Sequence, residues 1–260
     1  MINILVNGCN GKMGQEVVKQ IDKVDDMNLI GGFDKENTGI FTFPVYTSWE
    51  EVYNVIYSKC NKFSEKPDAI IDFSVPVATF AMLDFAKEHK IPVVIATTGF
   101  TNDELNKIKK YSEYIPIFRS SNMSFDINLM CKIVSWIAPL LSDTDIEITE
   151  THHNRKIDSP SGTALMLADK INQALNNKLH YEFNRHDKRS KRDKNEIGFS
   201  SIRGGNIVGE HIVQFFGEYE SFEIKHTSYS RNVFAEGALK ATKFLINKPS
   251  GLYNMDDILK

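Results

Sequence analysis

The first fourteen residues constrain the fold more than any other stretch. Ile2 to Asn7 is a short β-rich run, the turn Gly8-Cys9-Asn10-Gly11-Lys12-Met13-Gly14 follows, and Met13, Val17, Val18 and Ile21 then recur at helical spacing. Leu29 to Phe33 reads as a second strand, Ala69 to Phe73 as a third, Pro92 to Ala96 as a fourth and Ile115 to Phe118 as a fifth. Helical stretches at 78–89 and Asp103 to Ser112 lie between them. Short strands alternating with helices give a parallel sheet covered on both faces, so this half is expected to be a doubly wound α/β unit.

Length and composition agree with such a fold. At 260 residues the chain is one large or two modest domains, and 42% apolar with 25% charged residues is ordinary globular usage, which excludes disordered and fibrous classes. A net charge of −3 leaves no electrostatic footprint for nucleic acid. Cys9, Cys60 and Cys131 are an odd, widely spaced set without a Cys-x-x-Cys pair, which fits a reducing compartment. With no charged leader and no apolar run of membrane length, the expected location is the cytoplasm and no membrane partner is expected.

Beyond Ser124 the rhythm changes. Asn128 to Leu141 reads as a helix, Asp145 to Glu150 as a strand, 161–176 as a helix, and 198–203, 206–215 and 221–228 as strands, before a last helix at 235–247. Segregated helices and strands imply a second, α+β domain with a mixed or antiparallel sheet. Lys178 to Glu196 holds seven Lys or Arg against four Asp or Glu with little apolar periodicity, so a solvated mobile loop is expected there, with an anion-attracting flap as the sharper alternative.

The glycine turn places helix N-terminal amides and the helix dipole where a pyrophosphate would sit. Its spacing is G-x-x-G-x-x-G rather than G-x-G-x-x-G, and by itself it could be the tight turn of some other doubly wound protein. Asp34, 20 residues after Gly14 at the end of the second strand, adds a carboxylate suited to the adenosine ribose hydroxyls, so a dinucleotide site is expected. Lys35 beside it is a cation that could pair with the extra phosphate of NADP, so NAD and NADP both stay open. Asp72-Phe73-Ser74 and Thr97-Thr98-Gly99-Phe100 end strands on the same ligand edge, although Phe73 and Phe100 could equally be ordinary core.

The second cluster is Glu150-Thr-His152-His153-Asn-Arg155-Lys156-Ile-Asp158-Ser-Pro160-Ser161-Gly162-Thr163. Four actual or potential cations in five positions suit an anionic ligand, and a helix beginning near Ser161 offers amides and a hydroxyl to a carboxylate. Histidine titrates near neutrality and can act as a general acid, while Lys156 can neutralise a carboxylate or give up a proton. The bland alternative is a strand end followed by a helix cap. Zinc is disfavoured, because neighbouring strand residues point to opposite faces and no ligand follows at metal-like spacing; no metal site is expected.

The run from Glu150 to Ala164 closely resembles the signature E-x-H-H-x-x-K-x-D-x-P-S-G-T-A of the 4-hydroxy-tetrahydrodipicolinate (dihydrodipicolinate) reductases. The G-x-x-G-x-M-G turn, Asp-Phe-Ser, Thr-Thr-Gly-Phe, Ser121-Asn122-Met123-Ser124 and Arg203-Gly-Gly-Asn-Ile-Val-Gly-Glu-His211 look like that family's landmarks in order. The resemblance implies an NADH- or NADPH-dependent reductase of diaminopimelate and lysine biosynthesis acting on a small dicarboxylate. It implies His152 as proton-handling acid, Lys156 as proton donor, and His153, Ser161, Gly162 and Thr163 as holders of the substrate carboxylates. Gly8, Cys9, Asn10, Gly11, Lys12, Met13, Asp34, Thr97, Thr98, Gly99, Ser121, Asn122, Met123 and Ser124 would hold the dinucleotide. The implied fold is a Rossmann-like domain from 1–124 plus 229–260 and a substrate-binding and tetramerisation domain at 125–228, assembled as a homotetramer. An Asp at 34, where the family pattern has Glu, shortens the reach to the ribose. Two other readings differ in class: a related dehydrogenase acting on an aspartate-derived aldehyde or acid, and a non-catalytic nucleotide sensor. The cluster at 150–164 speaks against both.

Overall fold

The computed structural model describes residues 1–58 and 66–260, so Cys60 lies outside the described residues. Two compact units emerge, Met1–Ser124 with Asn232–Lys260, and Phe125–Arg231.

The first unit is a seven-stranded parallel sheet. Its strands are β1 (Ile2–Asn7), β2 (Met27–Phe33), β3 (Val45–Tyr46), β4 (Ala69–Asp72), β5 (Val93–Ile95), β6 (Pro116–Arg119) and β12 (Gly251–Tyr253), in the order β12-β6-β5-β4-β1-β2-β3. Its helices are α1 (Lys12–Ile21), α2 (Trp49–Val52), α3 (Pro76–His89), α4 (Asn102–Tyr111), α7 (Asn232–Leu245) and α8 (Met255–Ile258), and a π-helical turn spans Tyr53–Ser58. The strands read as continuous apolar runs because both faces are covered. Ile4, Val6, Ile71 and Val94 pack with α1 and α7 residues such as Val17, Val18, Ala238 and Leu245. Leu5, Ile70, Val93 and Ile95 pack on the opposite face with Met82, Leu83 and Ala86 of α3 and Ile108 of α4. Each fully buried aliphatic side chain contributes on the order of 2 kcal/mol, so two such layers fix the strand ends that carry the glycine turn.

The second unit is a mixed five-stranded sheet in the order β11-β10-β7-β9-β8. Its strands are β7 (Asp145–His152), β8 (His180–Glu182), β9 (Glu196–Arg203), β10 (Gly209–Phe216) and β11 (Ser221–Ser228), with α5 (Phe125–Ile137) and α6 (Gly162–Ala174) on one face. β10 runs antiparallel to β7 and β11, whereas β9 is parallel to β7 and β8. Period-two alternation puts Ile146 and Ile148 of β7 and Val213 and Phe215 of β10 against Met130, Val134, Leu167 and Ile171 of the helices.

Several element ends differ from expectation. The helix expected at Asn128–Leu141 begins at Phe125 and ends at Ile137, and β7 runs two residues further, to His152. The stretch expected as a solvated loop, Lys178 to Glu196, contains β8. Three of its seven basic residues are tied to sheet carboxylates among the described residues: Arg185 pairs with Glu147 and Glu196, Lys188 with Glu182, and Arg192 with Asp145 and Glu147. Arg192 donates to Asp145 Oδ1 at 2.8 Å and to the carbonyls of Ile146 and Glu196 at 3.1 and 2.8 Å. Those partners lie mostly on strands distant in sequence, which local periodicity does not register. Among the described residues no helix is long and apolar enough to cross a membrane.

Candidate active site

In the first unit, β1 leads into the glycine turn at its C-terminal end. Gly8 has φ +82°, and a Cβ there would sit 2.5 Å from the Phe73 carbonyl oxygen; one on Gly14 would sit 2.0 Å from the Gly8 oxygen. The turn is therefore closed against its own backbone at Gly14 and against that of Phe73 and Ser74 at Gly8, and only glycine fits at these two positions. Gly11 caps α1 without any side-chain hydrogen bond, and the helix has no acidic residue in its first turn. An α-helix start of this kind, with amides left without side-chain partners and no competing carboxylate, suits a phosphate. The Asp34 carboxylate accepts from the amides of Asn10 at 2.9 Å and Lys35 at 2.8 Å, which anchors it beside the turn. The Asn10 side chain in turn donates to the Glu36 carbonyl at 2.7 Å, so turn and acid form one unit.

These features fit a dinucleotide, and the expected residues divide by which of their atoms could meet one. Gly11, Lys12, Thr98, Gly99 and Ser121 are exposed, and Gly8, Asn10, Met13, Asp34 and Asn122 half-buried. Cys9 and Met123 have buried side chains in the core. Burial, aided by Asp34, pushes the Cys9 thiol up to about 12, so it is an inert core group. Ser124 is buried, and its amide donates to Asn122 Oδ1 at 2.8 Å. Thr97 is buried as well, and its hydroxyl donates to Asp72 Oδ2 at 2.9 Å while accepting from the Ser74 amide at 2.8 Å.

In the second unit the inward phase of β7 continues past Ile146 and Ile148 to Glu150 and His152, so the apolar core gives way to a charged end. Glu150, 1% exposed, is the hub. It accepts a bidentate pair from Arg203 at 2.7 and 2.8 Å, the His152 Nδ1–H at 2.5 Å and the Ser161 amide at 3.2 Å. Burial works to raise the Glu150 carboxyl, but hydrogen bonds from Arg203, Ser201 and His152 outweigh it and hold the group below its ordinary value. An ionised carboxylate only accepts, so His152 keeps its proton on Nδ1 and leaves Nε2, which passes over Gly209, as the titrating nitrogen. Burial lowers the His152 pKa, and Glu150 opposes that.

Lys156 donates to both Asp158 oxygens, at 2.7 and 2.8 Å. That ion pair holds the Asp158 carboxyl below its ordinary value. Lys156 also acts on His152 through its charge, so two of the expected cations are brought together. His153 is half-buried, and its Nδ1 is buried without a hydrogen-bond partner among the described residues. Ser161 caps α6 by accepting from the Ala164 amide at 3.2 Å. Its hydroxyl is 2.8 Å from His211 Nε2. Burial first, then the neighbouring His152, lowers the His211 pKa to about 3, so this ring is neutral and shares one hydrogen bond with the hydroxyl. A Cβ on Gly162 would meet nothing within 4 Å, which leaves open space over the start of α6.

Four groups that carry this geometry had no role assigned from sequence: Glu150, Asp158, Arg203 and His211. Glu150 was detectable as a charge in the inward phase of an alternating strand. Arg203 and His211 became neighbours only through sheet register, since Arg203 lies opposite His152 and His211 opposite Glu150.

Comparison with known proteins shows the family. The family models described as dihydrodipicolinate reductase, N-terminus and C-terminus, match residues 2–123 and 126–259. The 4-hydroxy-tetrahydrodipicolinate reductase of Caldanaerobacter subterraneus subsp. tengcongensis is 47% identical over 260 residues, covering 100% of this chain and 99% of that one. The enzyme of the same name from Clostridium tetani is 46% identical over 260 residues, covering 100% and 97%. Among solved structures, a dipicolinate-bound dihydrodipicolinate reductase from Paenisporosarcina sp. TG-14 superposes with a TM-score of 0.79 at 26% identity over 99% of each chain. With both family models matched end to end, and curated relatives of nearly half identity over the full length, the chain belongs to the 4-hydroxy-tetrahydrodipicolinate reductase family.

Proposed function

We propose that this protein reduces 4-hydroxy-tetrahydrodipicolinate, by way of its cyclic imine, to tetrahydrodipicolinate and water, with NADH or NADPH as reductant, in diaminopimelate and lysine biosynthesis. The observation that carries the reading is the cluster built on Glu150, which gathers His152, Arg203 and the start of α6 beside Lys156 and Asp158 in a chain of this family.

A bound nicotinamide supplies the hydride. The first unit would hold it through the α1 amides at Lys12 and Met13, the Asp34 carboxylate, and the exposed backbone of Thr98 and Gly99. In the second unit, His152 carries and releases a proton at Nε2 while Nδ1–H stays on Glu150, so the ring keeps its orientation throughout. Lys156, paired with Asp158, serves as a cation and proton donor for the reacting ring. His153, Ser161, and the α6 amides at Gly162 and Thr163 suit the two carboxylates of the substrate. A charge-assisted contact of each carboxylate with these donors is stronger than a neutral hydrogen bond and fixes the ring for attack.

A homotetramer in the cytoplasm is part of the same reading. Exposed Ile202 and Phe216 lie on the sheet face turned away from α5 and α6, where a second copy would cover them. Light scattering would report the mass. The activity is tested by adding freshly made synthase product and following nicotinamide absorbance with each coenzyme: consumption dependent on both substrate and enzyme supports the reading, and none with either coenzyme defeats it.

A further inference from the structure

Asp72 ends β4 and is fully buried, yet among the described residues its side-chain hydrogen bonds come from neutral donors. Oδ1 accepts from Asn7 Nδ2 at 2.8 Å and Ser74 Oγ at 2.5 Å; Oδ2 accepts from Thr79 Oγ1 at 2.6 Å and Thr97 Oγ1 at 2.9 Å. Four donors fill the four lone-pair positions of a carboxylate. Burial pushes the Asp72 carboxyl up, and the bonds from Ser74, Thr79, Thr97 and Asn7 oppose that. Burying an acid without a cation is costly, and an apolar residue of similar size would avoid the cost.

The donors show what the carboxylate does. Asn7 is the last residue of β1 and leads directly into Gly8. Ser74 follows Phe73, whose carbonyl the glycine turn packs against. Thr97 follows β5 and precedes the exposed Thr98 and Gly99, and its hydroxyl is oriented twice, since the Ser74 amide occupies a lone pair and Asp72 takes the proton. Thr79 is the one donor on α3, away from these strand ends. An amide in place of the carboxylate would turn a donor toward the hydroxyls and force at least one of them to reverse.

We infer that Asp72 is a positioning residue for the coenzyme: its carboxylate gathers the ends of β1, β4 and β5, so that the glycine turn and the Thr97–Gly99 stretch are held ready for the dinucleotide. The inference rests on the reading of the first unit as the NADH- or NADPH-binding unit. Coenzyme dissociation constants, measured by fluorescence titration without substrate, and stability in urea test it on Asp72→Asn, Thr97→Val and Thr79→Val. Asp72 cannot touch a ligand, and the two threonine variants each delete one hydroxyl from the same carboxylate.

The expected result is a coenzyme Kd raised about tenfold or more in Asp72→Asn and Thr97→Val, with Thr79→Val within about twofold of wild type while losing comparable stability. Should Asp72→Asn fail to fold, the contrast between the threonine variants decides. Equal Kd values for Thr97→Val and Thr79→Val, in a wild type that binds coenzyme, would overturn the inference alone. Failure of the wild type to bind either coenzyme would overturn the underlying reading and the inference with it.

Discussion

Replacing Glu150 by Gln keeps the volume and removes the charge on which the second unit's site is built. Hydrogen bonds converge on the carboxylate from Arg203 twice, from His152, from the Ser161 amide and from Ser201. Gln offers one acceptor oxygen and turns an amine toward donors, so Arg203 or His152 loses its partner. Removing one member of a buried ion pair costs about 3–5 kcal/mol; the Arg203 side chain is 20% exposed, so the lower end, about 3 kcal/mol, is expected. Urea unfolding at neutral pH measures it. The sign with pH follows from the lowered Glu150 pKa: its contribution is complete above the ordinary carboxylate value of 4.5 and is lost as pH falls through the lower folded value. The stability gap between wild type and variant should therefore be full at neutral pH and narrow below about pH 4. Turnover should fall by about 100-fold, because a misoriented His152 no longer presents Nε2 correctly. Without Glu150, which raises the His152 pKa, the His152 limb of the pH profile should also move to lower pH. A variant with wild-type turnover, or a stability gap that does not change with pH, would show that Glu150 does not hold His152 and Arg203 in this way.

Other predictions follow from single contacts. Ser161→Ala removes the α6 cap and the bond to His211, so unfolding should show a loss of about 1 kcal/mol and initial-rate kinetics a raised substrate KM. Gly14→Ala places a Cβ 2.0 Å from the Gly8 carbonyl oxygen, and coenzyme titration should find binding abolished, because backbone rather than a flexible side chain must move. His211 refuses a proton until about pH 3, whereas the unfolded chain takes one near 6.5, so wild-type stability should decline as pH falls from 6.5, by at most about 1.4 kcal/mol per unit from this group. A His211→Asn variant should show a flatter decline over the same range in urea titrations.

What the sequence made legible follows the reach of local signals. The parallel sheet was readable because Ile4–Val6, Ile70–Ile71 and Val93–Ile95 are apolar on both phases, as strands covered on both faces are. The glycine turn was readable because Gly8 and Gly14 meet constraints set by nearby backbone. β3, β8 and β12, two or three residues each, carry too little pattern to be seen. Lys178 to Glu196 looked like a loop because Arg185 and Arg192 find partners such as Glu147 and Asp145 some 40 residues earlier. At the site, His152, His153, Lys156 and Ser161 stood out as one dense run. Asp72 had been placed on the ligand edge, but its complete burial, and the inward-turned Thr97 hydroxyl, required the packing of three strand ends.

In this reading the second unit's cluster does the proton chemistry of a dicarboxylate reduction. Its most direct test is the turnover of His152→Ala combined with Lys156→Ala in the synthase-coupled assay, alongside the coenzyme Kd of the same protein. Turnover should fall by several orders of magnitude, at about 10²-fold or more for each group, with the coenzyme Kd unchanged. Full activity in the double variant would contradict it.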